Sequence, residues 1–220
     1  MNMLIALLFI IFSFFVDEQP VFKGGQNKLT QFIYNNLIYP DYSRDNCIQG
    51  TIQVSFKLNQ QGRIYHSEVK KGFGIDLDQE ALRLVRLTSG NWIMPVNHDT
   101  TISMVLPVNF SLKNYKCEER SKDEINAAIN AYNSREGLKK VVFNYYDLKR
   151  KGQNNPADEA RIEAIKMQLG FDKKFIEDLL KQAQQKLKQG DVQGACEDFI
   201  TIRLLGSDLS SQFIEQHCNY

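Results

Sequence analysis

The sequence is poor in the residues and motifs that mark several large protein classes. Its 220 residues include only five prolines and carry a formal net charge of +1. It therefore offers neither a proline-rich spacer nor a charge bias toward nucleic acid or an anionic membrane surface. The four cysteines make no CxxC pair, and no histidine lies at metal-ligand spacing from them. Since GxSxG, HExxH and DxDxDG motifs are also missing, we predict a noncatalytic protein that needs no metal or cofactor.

An apolar run from Met3 to Val16 lies at the amino end of the sequence. It is shorter than the roughly 20 residues that span a bilayer, and its length is typical of the apolar region of a secretory signal peptide. No Lys or Arg precedes it, and Ser13-Phe14-Phe15 is a poor cleavage site, so a short membrane anchor and a buried core segment stay open as alternatives. We expect residues 1–16 to be a signal peptide or a short anchor, either of which places the rest of the chain outside the cytoplasm.

The cysteines of an exported chain are expected to form disulfides, because that environment is oxidising. The favoured pair is Cys196 with Cys218, which would join neighbouring helices. Cys47 with Cys117 is the second candidate pair. Buried free thiols are the alternative, above all for the second pair.

Hydrophobic periodicity from residue 20 onward predicts a helix followed by an antiparallel hairpin. A Gly24-Gly25 turn leads into a short amphipathic helix that ends at Tyr39-Pro40, because proline cannot continue a helix. After a polar connector, a strand begins near Gly50, and its apolar residues alternate. Asn59 to Gly62 form a hairpin connection, and a second strand starts at Arg63. The inward residues of the first strand are Ile52, Val54, Phe56 and Leu58.

A second helix and a third strand complete this part of the chain. Asp76 is expected to cap the helix with Gln79 as its capping-box partner, and the nearby acids to favour the helix dipole. Trp92 is predicted to fill the core. The third strand runs from Ile102 to Leu112, and Pro107 within it favours an edge position, because a central strand would lose a ladder hydrogen bond. The buried face of the helix is predicted to contain Leu77, Ala81, Leu84 and Val85.

From about Ser121 the sequence predicts helices joined by short turns, with breaks at Asn154-Asn155-Pro156 and at Gly170. Such a series forms an antiparallel helical array. The expected division of the chain is thus 20–113 for the α+β domain and 121–220 for an all-α domain. The predicted helices are Lys122 to Asn133, Leu138 to Lys151, Ala157 to Leu169, Lys173 to Gln189, Val192 to Leu205 and Leu209 to Cys218.

Residues Pro20 to about Leu112 resemble the TonB C-terminal domain family. The matching segments, in order, are PVFKGG, NLIYP, GTIQVSFKLNQQGRI from Gly50, LDQEALRLV from Leu77, the Trp92 and Pro95 pair, and MVLPVNFSL. Each segment alone is weak, but their order and spacing are specific. The resemblance implies a three-stranded antiparallel sheet with two helices.

The resemblance also implies a periplasmic adaptor that couples the inner-membrane proton gradient to outer-membrane receptors. Its partner would be a TonB-dependent receptor or another envelope protein, which adds a peptide strand to the edge of the sheet next to the Tyr-Pro motif. An exposed edge offers unpaired N–H and C=O groups for this. The plain alternatives are an ordinary third strand, and a Tyr39-Pro40 helix stop packed on Trp92. The expected partner-binding residues are Tyr39, Pro40, Ile102, Ser103, Met104, Val105, Leu106, Val108, Asn109 and Phe110.

The short connection after the apolar run and the pattern of the helical part leave a second function open. At about 3.5 Å per residue, the few residues between Val16 and Pro20 reach only on the order of 15 Å, so a chain held in the inner membrane could not reach an outer-membrane receptor. A periplasmic scaffold that has lost energy transduction, and binds partners through its helical part, is therefore the alternative function. In that part, four residues fit the small and aromatic positions of a tetratricopeptide repeat, although a simple stabilising layer of helices fits as well. These residues are Ala183, Gly190, Ala195 and Phe199.

Overall fold

The structure, a computed structural model, describes residues 19–113 and 115–218. The predicted signal peptide or anchor, residues 1–16, lies outside the described residues. Within the described ranges, no helix is both long and apolar enough to cross a bilayer.

Residues 19–113, the sheet part, contain short and long strands with three helices. The elements are β1 (Val21–Phe22), α1 (Gly25–Asn36), α2 (Asp41–Asp45), β2 (Gly50–Leu58), β3 (Ile64–Lys71), α3 (Asp76–Leu87), β4 (Trp92–Ile93) and β5 (Met104–Phe110). Residues 115–218, the helical part, follow a short 3-10 turn at Cys117–Glu119. They contain α4 (Lys122–Arg150), α5 (Glu159–Gln168), α6 (Lys173–Lys188), α7 (Val192–Leu204) and α8 (Ser211–His217). The predicted α+β sheet followed by helices is confirmed.

The main sheet has the strand order β3-β2-β5, and both pairings are antiparallel. The predicted alternation of β2 is confirmed, because Ile52, Val54, Phe56 and Leu58 are all buried. Helix α3 covers this apolar face with the predicted residues Leu77, Ala81, Leu84 and Val85, each fully buried. The predicted Asn59 to Gly62 turn joins β2 to β3, and Gly62 is required there: its φ is +70°, and a Cβ would lie 2.3 Å from the Trp92 carbonyl oxygen.

A second, two-stranded ribbon holds Trp92 in the core. In it, Phe22 of β1 lies opposite Trp92 of β4. The Trp92 ring contacts Phe22 and Phe56 at centroid distances of 5.6 and 5.3 Å, and its Nε1 donates to Thr88 Oγ1 at 2.9 Å. The residue is only 6% exposed, so it fills the core as predicted. The expected packing of Tyr39 on Trp92 is wrong, because the ring contact of Tyr39 is with Phe110.

The segment after Pro40 and the start of α3 differ from the sequence-based expectation. The polar connector contains the short helix α2, which begins at Asp41. Asp76 does not cap α3: Ile75 occupies the N-cap position without a side-chain cap bond, and the Asp76 carboxylate instead accepts hydrogen bonds from the backbone N–H and hydroxyl of Ser43. A partner on α2, which local spacing does not reveal, has replaced the predicted local bond.

The other acids at the start of α3 are also more than a favourable charge for the helix dipole. Asp78 is buried and accepts hydrogen bonds from the N–H groups of Phe73 and Gly74 at 3.0 and 2.8 Å. Glu80 is buried as well and accepts from the N–H of Ile38. These carboxylates therefore fix the connections before and beside the helix.

Helix α4 is a single helix of 29 residues, so the predicted break after Asn133 is wrong. It begins at a capping box between Ser121 and Glu124. Its two halves pack on different cores, and that packing keeps the helix continuous through the weak helix former Gly137. The amino-terminal half packs on the core of the sheet part through Ile125, Ala128, Ile129 and Tyr132, and the carboxyl-terminal half belongs to the helical core through Val142, Tyr145 and Tyr146.

We expect Gly137→Ala to stabilise the protein by about 0.5–1 kcal/mol, because alanine loses less backbone entropy in a helix. A Cβ at this position meets no atom within 4 Å. Urea denaturation checks this result. A loss of stability would show that α4 needs flexibility at residue 137.

Helices α6 and α7 form an antiparallel hairpin with tight contacts. Ala183, Ala195 and Phe199 are fully buried between them, and Gly190 ends α6 with φ +82°. These are the residues that the sequence places at tetratricopeptide positions. The hairpin is shared by many helical arrays, so membership of that repeat family stays a prediction.

Two disulfides link distant parts of the described chain. Cys47 is joined to Cys117, and Cys196 to Cys218, with Cα–Cα distances of 5.5 and 5.6 Å. The first connects the segment before β2 to the turn before α4. The second connects α7 to the end of α8.

Candidate peptide-docking edge

The main sheet has two edge strands, β3 and β5. Strand β5 pairs with β2 along its whole length, from Phe56↔Met104 to Gly50↔Phe110, without a register shift. Among the described residues it has no other strand neighbour. An edge strand presents unpaired backbone groups to an incoming strand.

Pro107 determines which backbone groups of β5 are free. It lies opposite Gln53, and proline has no N–H to donate to β2. Because the register is unbroken there, the backbone of Pro107 faces away from β2. Every second residue of an antiparallel strand has the same orientation, so the backbone groups of Val105 and Asn109 also face away from β2. The free edge therefore offers three carbonyl groups, from these three residues, and two N–H groups, from Val105 and Asn109.

The side chains of β5 separate a buried face from an exposed one. Leu106, Val108 and Phe110 are buried under α3 and hold the strand in place. Val105 is 43% exposed on the opposite face, where Pro107 and Asn109 are exposed too. The Asn109 amide oxygen accepts a hydrogen bond from Thr51 at 3.1 Å. A peptide along this edge would contact an apolar side chain at Val105 and Pro107.

The second edge, at β3, is occupied by the helical part. The residues of β2 that lie opposite Val105, Pro107 and Asn109 direct their backbone groups toward β3. Phe56 alternates with them and directs its backbone groups toward β5. Its partner on β3, Ser67, therefore directs its own backbone groups away from β2. The Ser67 carbonyl meets the amide Nε2 of Gln193 on α7 at 2.9 Å. Among residues 19–113 and 115–218, strand β5 is thus the edge that remains open.

Residues 35–112 match the family model for the Gram-negative bacterial TonB protein C-terminal domain. This segment, about a third of the chain, is similar to the TonB C-terminal family. The match begins within α1, so β1 and the first turns of α1 lie before it. A solution NMR structure of the Helicobacter pylori TonB C-terminal domain is 24% identical over 40% of this chain and 95% of that one, with a TM-score of 0.34. No curated protein matches the sequence.

The matched segment, residues 35–112, contains all the residues predicted to bind a partner, but the fold does not bring all of them to the edge. Met104, Val105, Leu106, Val108, Asn109 and Phe110 lie in β5. Ile102 and Ser103 precede the strand, in a turn where the N–H of Ile102 donates to the Asp99 carbonyl. The strand is therefore two residues shorter at each end than the predicted Ile102 to Leu112.

Tyr39 and Pro40 face different surroundings at their corner of the sheet part. The Tyr39 ring packs edge-on against Phe110 at 5.8 Å, and its hydroxyl donates to the Ile48 carbonyl at 2.6 Å. Burial, and then the charge of Asp76, raises the pKa of Tyr39 to about 12. Tyr39 thus supports the end of β5 from the core side. Pro40 instead lines a cleft between the two parts of the chain.

Sequence reasoning missed the residues that occupy β3. Gln193 and Glu197 lie about 126 and 111 positions from their partners Ser67 and Arg86. Neither stands in a motif, and both read as polar positions of an ordinary amphipathic helix. Only the packing of α7 against the sheet part reveals them.

No cluster of three or more His, Cys, Asp or Glu residues that could hold a metal ion occurs in ranges 19–113 and 115–218. The edge itself carries no titratable side chain from Met104 to Phe110. Its chemistry is that of hydrogen bonding and apolar contact.

Proposed function

We propose that this chain is a noncatalytic, TonB-like adaptor of the cell envelope, which takes an extended segment of an outer-membrane receptor or another envelope protein onto β5. The open edge of β5 carries this proposal. An incoming strand extends the sheet by backbone hydrogen bonds, and its alternate side chains contact the exposed side chains of β5. The expected domain division, 20–113 and 121–220, makes the first domain the partner-binding module.

The number of free groups indicates weak, reversible binding. Three carbonyls and two N–H groups allow five backbone hydrogen bonds, each worth about 1 kcal/mol net. Their sum is close to the lower estimates of association cost, about 4 kcal/mol or more. Apolar contacts at Val105 and Pro107 must therefore supply part of the affinity. This suits a contact that is made and released repeatedly.

Export to the periplasm is part of the proposal. Disulfides persist in oxidising compartments, and this chain has two. The apolar amino-terminal run of the sequence supports the same location. Residues 1–16 would then act as a signal peptide or tether.

The test measures binding of TonB-box peptides, the short receptor segments that the resemblance implies as partners, to the disulfide-bonded chain. Val105→Pro and Val105→Ala form a matched pair. Proline removes an outward N–H but no ladder bond, whereas alanine keeps the N–H. We expect Val105→Ala to weaken binding about twofold, through lost apolar contact. Val105→Pro should weaken it about fivefold more than that, since proline also removes one backbone hydrogen bond worth about 1 kcal/mol. Heteronuclear NMR titration, with shifts at Val105 and Asn109, measures both.

Pro107→Ala supplies a change in the opposite direction. It restores a third outward donor, so we expect a several-fold gain in peptide affinity, about 1 kcal/mol. Equal affinity for all three variants would show that the peptide does not pair with β5. No binding of any peptide at millimolar concentration by the folded chain would reject the proposal.

A scaffold that holds its partner with the helical part is the second candidate. A cleft of about 540 Å³ between α3 and helices α6 and α7 supports it, lined in part by Pro40, Phe175 and Gln182. In that case, titration with the partner would shift resonances of α6 and α7 and leave β5 unchanged.

A further inference from the structure

Strand β3 offers the sheet a second edge, and its middle is covered by the chain itself. Gln193, the second residue of α7, approaches Ser67 with its side-chain amide. Its Nε2 donates to the Ser67 carbonyl at 2.9 Å, and its Oε1 accepts from the Ser67 hydroxyl at 3.0 Å. An amide group that donates to an outward carbonyl does what the backbone of an added strand would do.

The contact is fixed by an ion pair one helical turn along α7. Glu197 accepts two hydrogen bonds from the Arg86 guanidinium, at 2.9 and 2.7 Å. Arg86 is 8% exposed, and its Nε donates to the Ser67 hydroxyl at 2.9 Å. We call these four residues, Ser67, Arg86, Gln193 and Glu197, the edge cover. Bidentate pairing sets the orientation of both side chains, so α7 is held at a defined place on β3.

The edge cover is supported by the rest of the helical part. Helix α7 packs tightly on α6, and α4 packs on the cores of both parts. Tyr42 of the sheet part also donates to the Ala128 carbonyl on α4 at 2.7 Å. The cover is therefore part of a packed interface and not a loose side-chain contact.

An uncovered β3 would be able to pair with a second copy of this chain. Antiparallel pairing of two β3 strands about Ser67 places His66 of one opposite Glu68 of the other, and both side chains are exposed. We infer that the helical part acts as an intramolecular cover of β3, which prevents self-pairing at this edge and restricts strand addition to β5. The restriction to β5 rests on the proposed function, whereas the prevention of self-pairing does not.

The test uses the full chain with Gln193→Ala combined with Glu197→Lys. This pair of changes removes the amide from Ser67 and places a second cation beside Arg86. Glu177→Lys is the matched control, because it makes the same charge change in an exposed surface pair of α6. Sedimentation velocity at rising protein concentration measures self-association, and amide hydrogen exchange identifies the strand that pairs.

We expect the double variant to associate at least tenfold more tightly than the wild type, and Glu177→Lys to behave as the wild type. Protection of the Ser67 and Val69 amides should rise with concentration in the double variant alone. Wild-type association of a folded double variant would overturn the inference, and so would protection confined to β5.

Gln193→Ala alone keeps the ion pair and serves if the double variant does not fold. We expect it also to self-associate more tightly than the wild type, by a several-fold smaller factor than the double variant. Association equal to that of the wild type would then overturn the inference. Peptide titration of the same samples separates the two proposals. If no sample binds peptide but the double variant still self-associates, only the proposed function is rejected. If the samples bind peptide but the double variant does not self-associate, only the edge cover is rejected.

Discussion

Replacing Cys47 and Cys117 with alanine should lower the free energy of unfolding by about 4 kcal/mol. The disulfide closes a separation of 70 residues, and in the chain-entropy model a loop of this length stabilises the native state by about 4 kcal/mol through restriction of the unfolded chain. The bond has a position that adds to its effect. It lies just beyond the Gly50↔Phe110 end of the β2–β5 ladder, where fraying of β5 would otherwise start.

Urea denaturation measures this effect, and a second variant with alanine at Cys196 and Cys218 serves as the comparison. The Cys196–Cys218 bond closes only 22 residues, so its removal should cost about 3 kcal/mol, the smaller loss. Mass spectrometry of the unreduced protein verifies both linkages beforehand. Equal or reversed losses would show that residual structure in the unfolded chain, and not loop length, controls the stabilisation.

Trp92→Ala should destabilise the protein by about 4 kcal/mol, the usual range for a large aromatic residue removed from a core. The change removes ring contacts to Phe22 of β1 and Phe56 of β2, and it leaves Thr88 without its indole donor. Because β1 is held to β4 at this residue, the ribbon should loosen together with the core.

Thermal and urea unfolding measure this loss, with two comparisons. Trp92→Phe keeps the ring contacts and should lose roughly half as much or less. Ile93→Ala changes a neighbour that is 57% exposed and should stay within about 0.5 kcal/mol of the wild type. A small effect of Trp92→Ala would mean that Phe22 and Phe56 close over the vacated space.

Local pattern was sufficient for most of the fold because the period of the apolar residues matches the burial. The alternation from Ile52 to Leu58 predicted β2, and the spacing of Leu77, Ala81 and Leu84 predicted the buried face of α3. Pro107 predicted an edge strand, and β5 is one. In each case the pattern or the residue type has a direct consequence for burial or for backbone hydrogen bonding.

The failures share a different cause, since each depends on a partner far away in sequence. Asp76 bonds to Ser43 on α2 and not to its own helix. Helix α4 continues through Gly137 because its two halves pack on two separate cores. The cover of β3 by Gln193 required the docking of α7, which no local period encodes. The open edge at β5 was thus predictable from the sequence, whereas the contact of α7 that covers the other edge, at β3, was not.

Pro107 also has a kinetic consequence for the proposed adaptor. Affinity differences among related complexes lie mainly in the dissociation rate. One missing donor, at about 1 kcal/mol, therefore shortens the residence time of a bound segment roughly fivefold. A shorter residence time raises the number of partners that one molecule can visit in a given interval. The proline in the middle of β5 would then set the rate at which the adaptor exchanges partners.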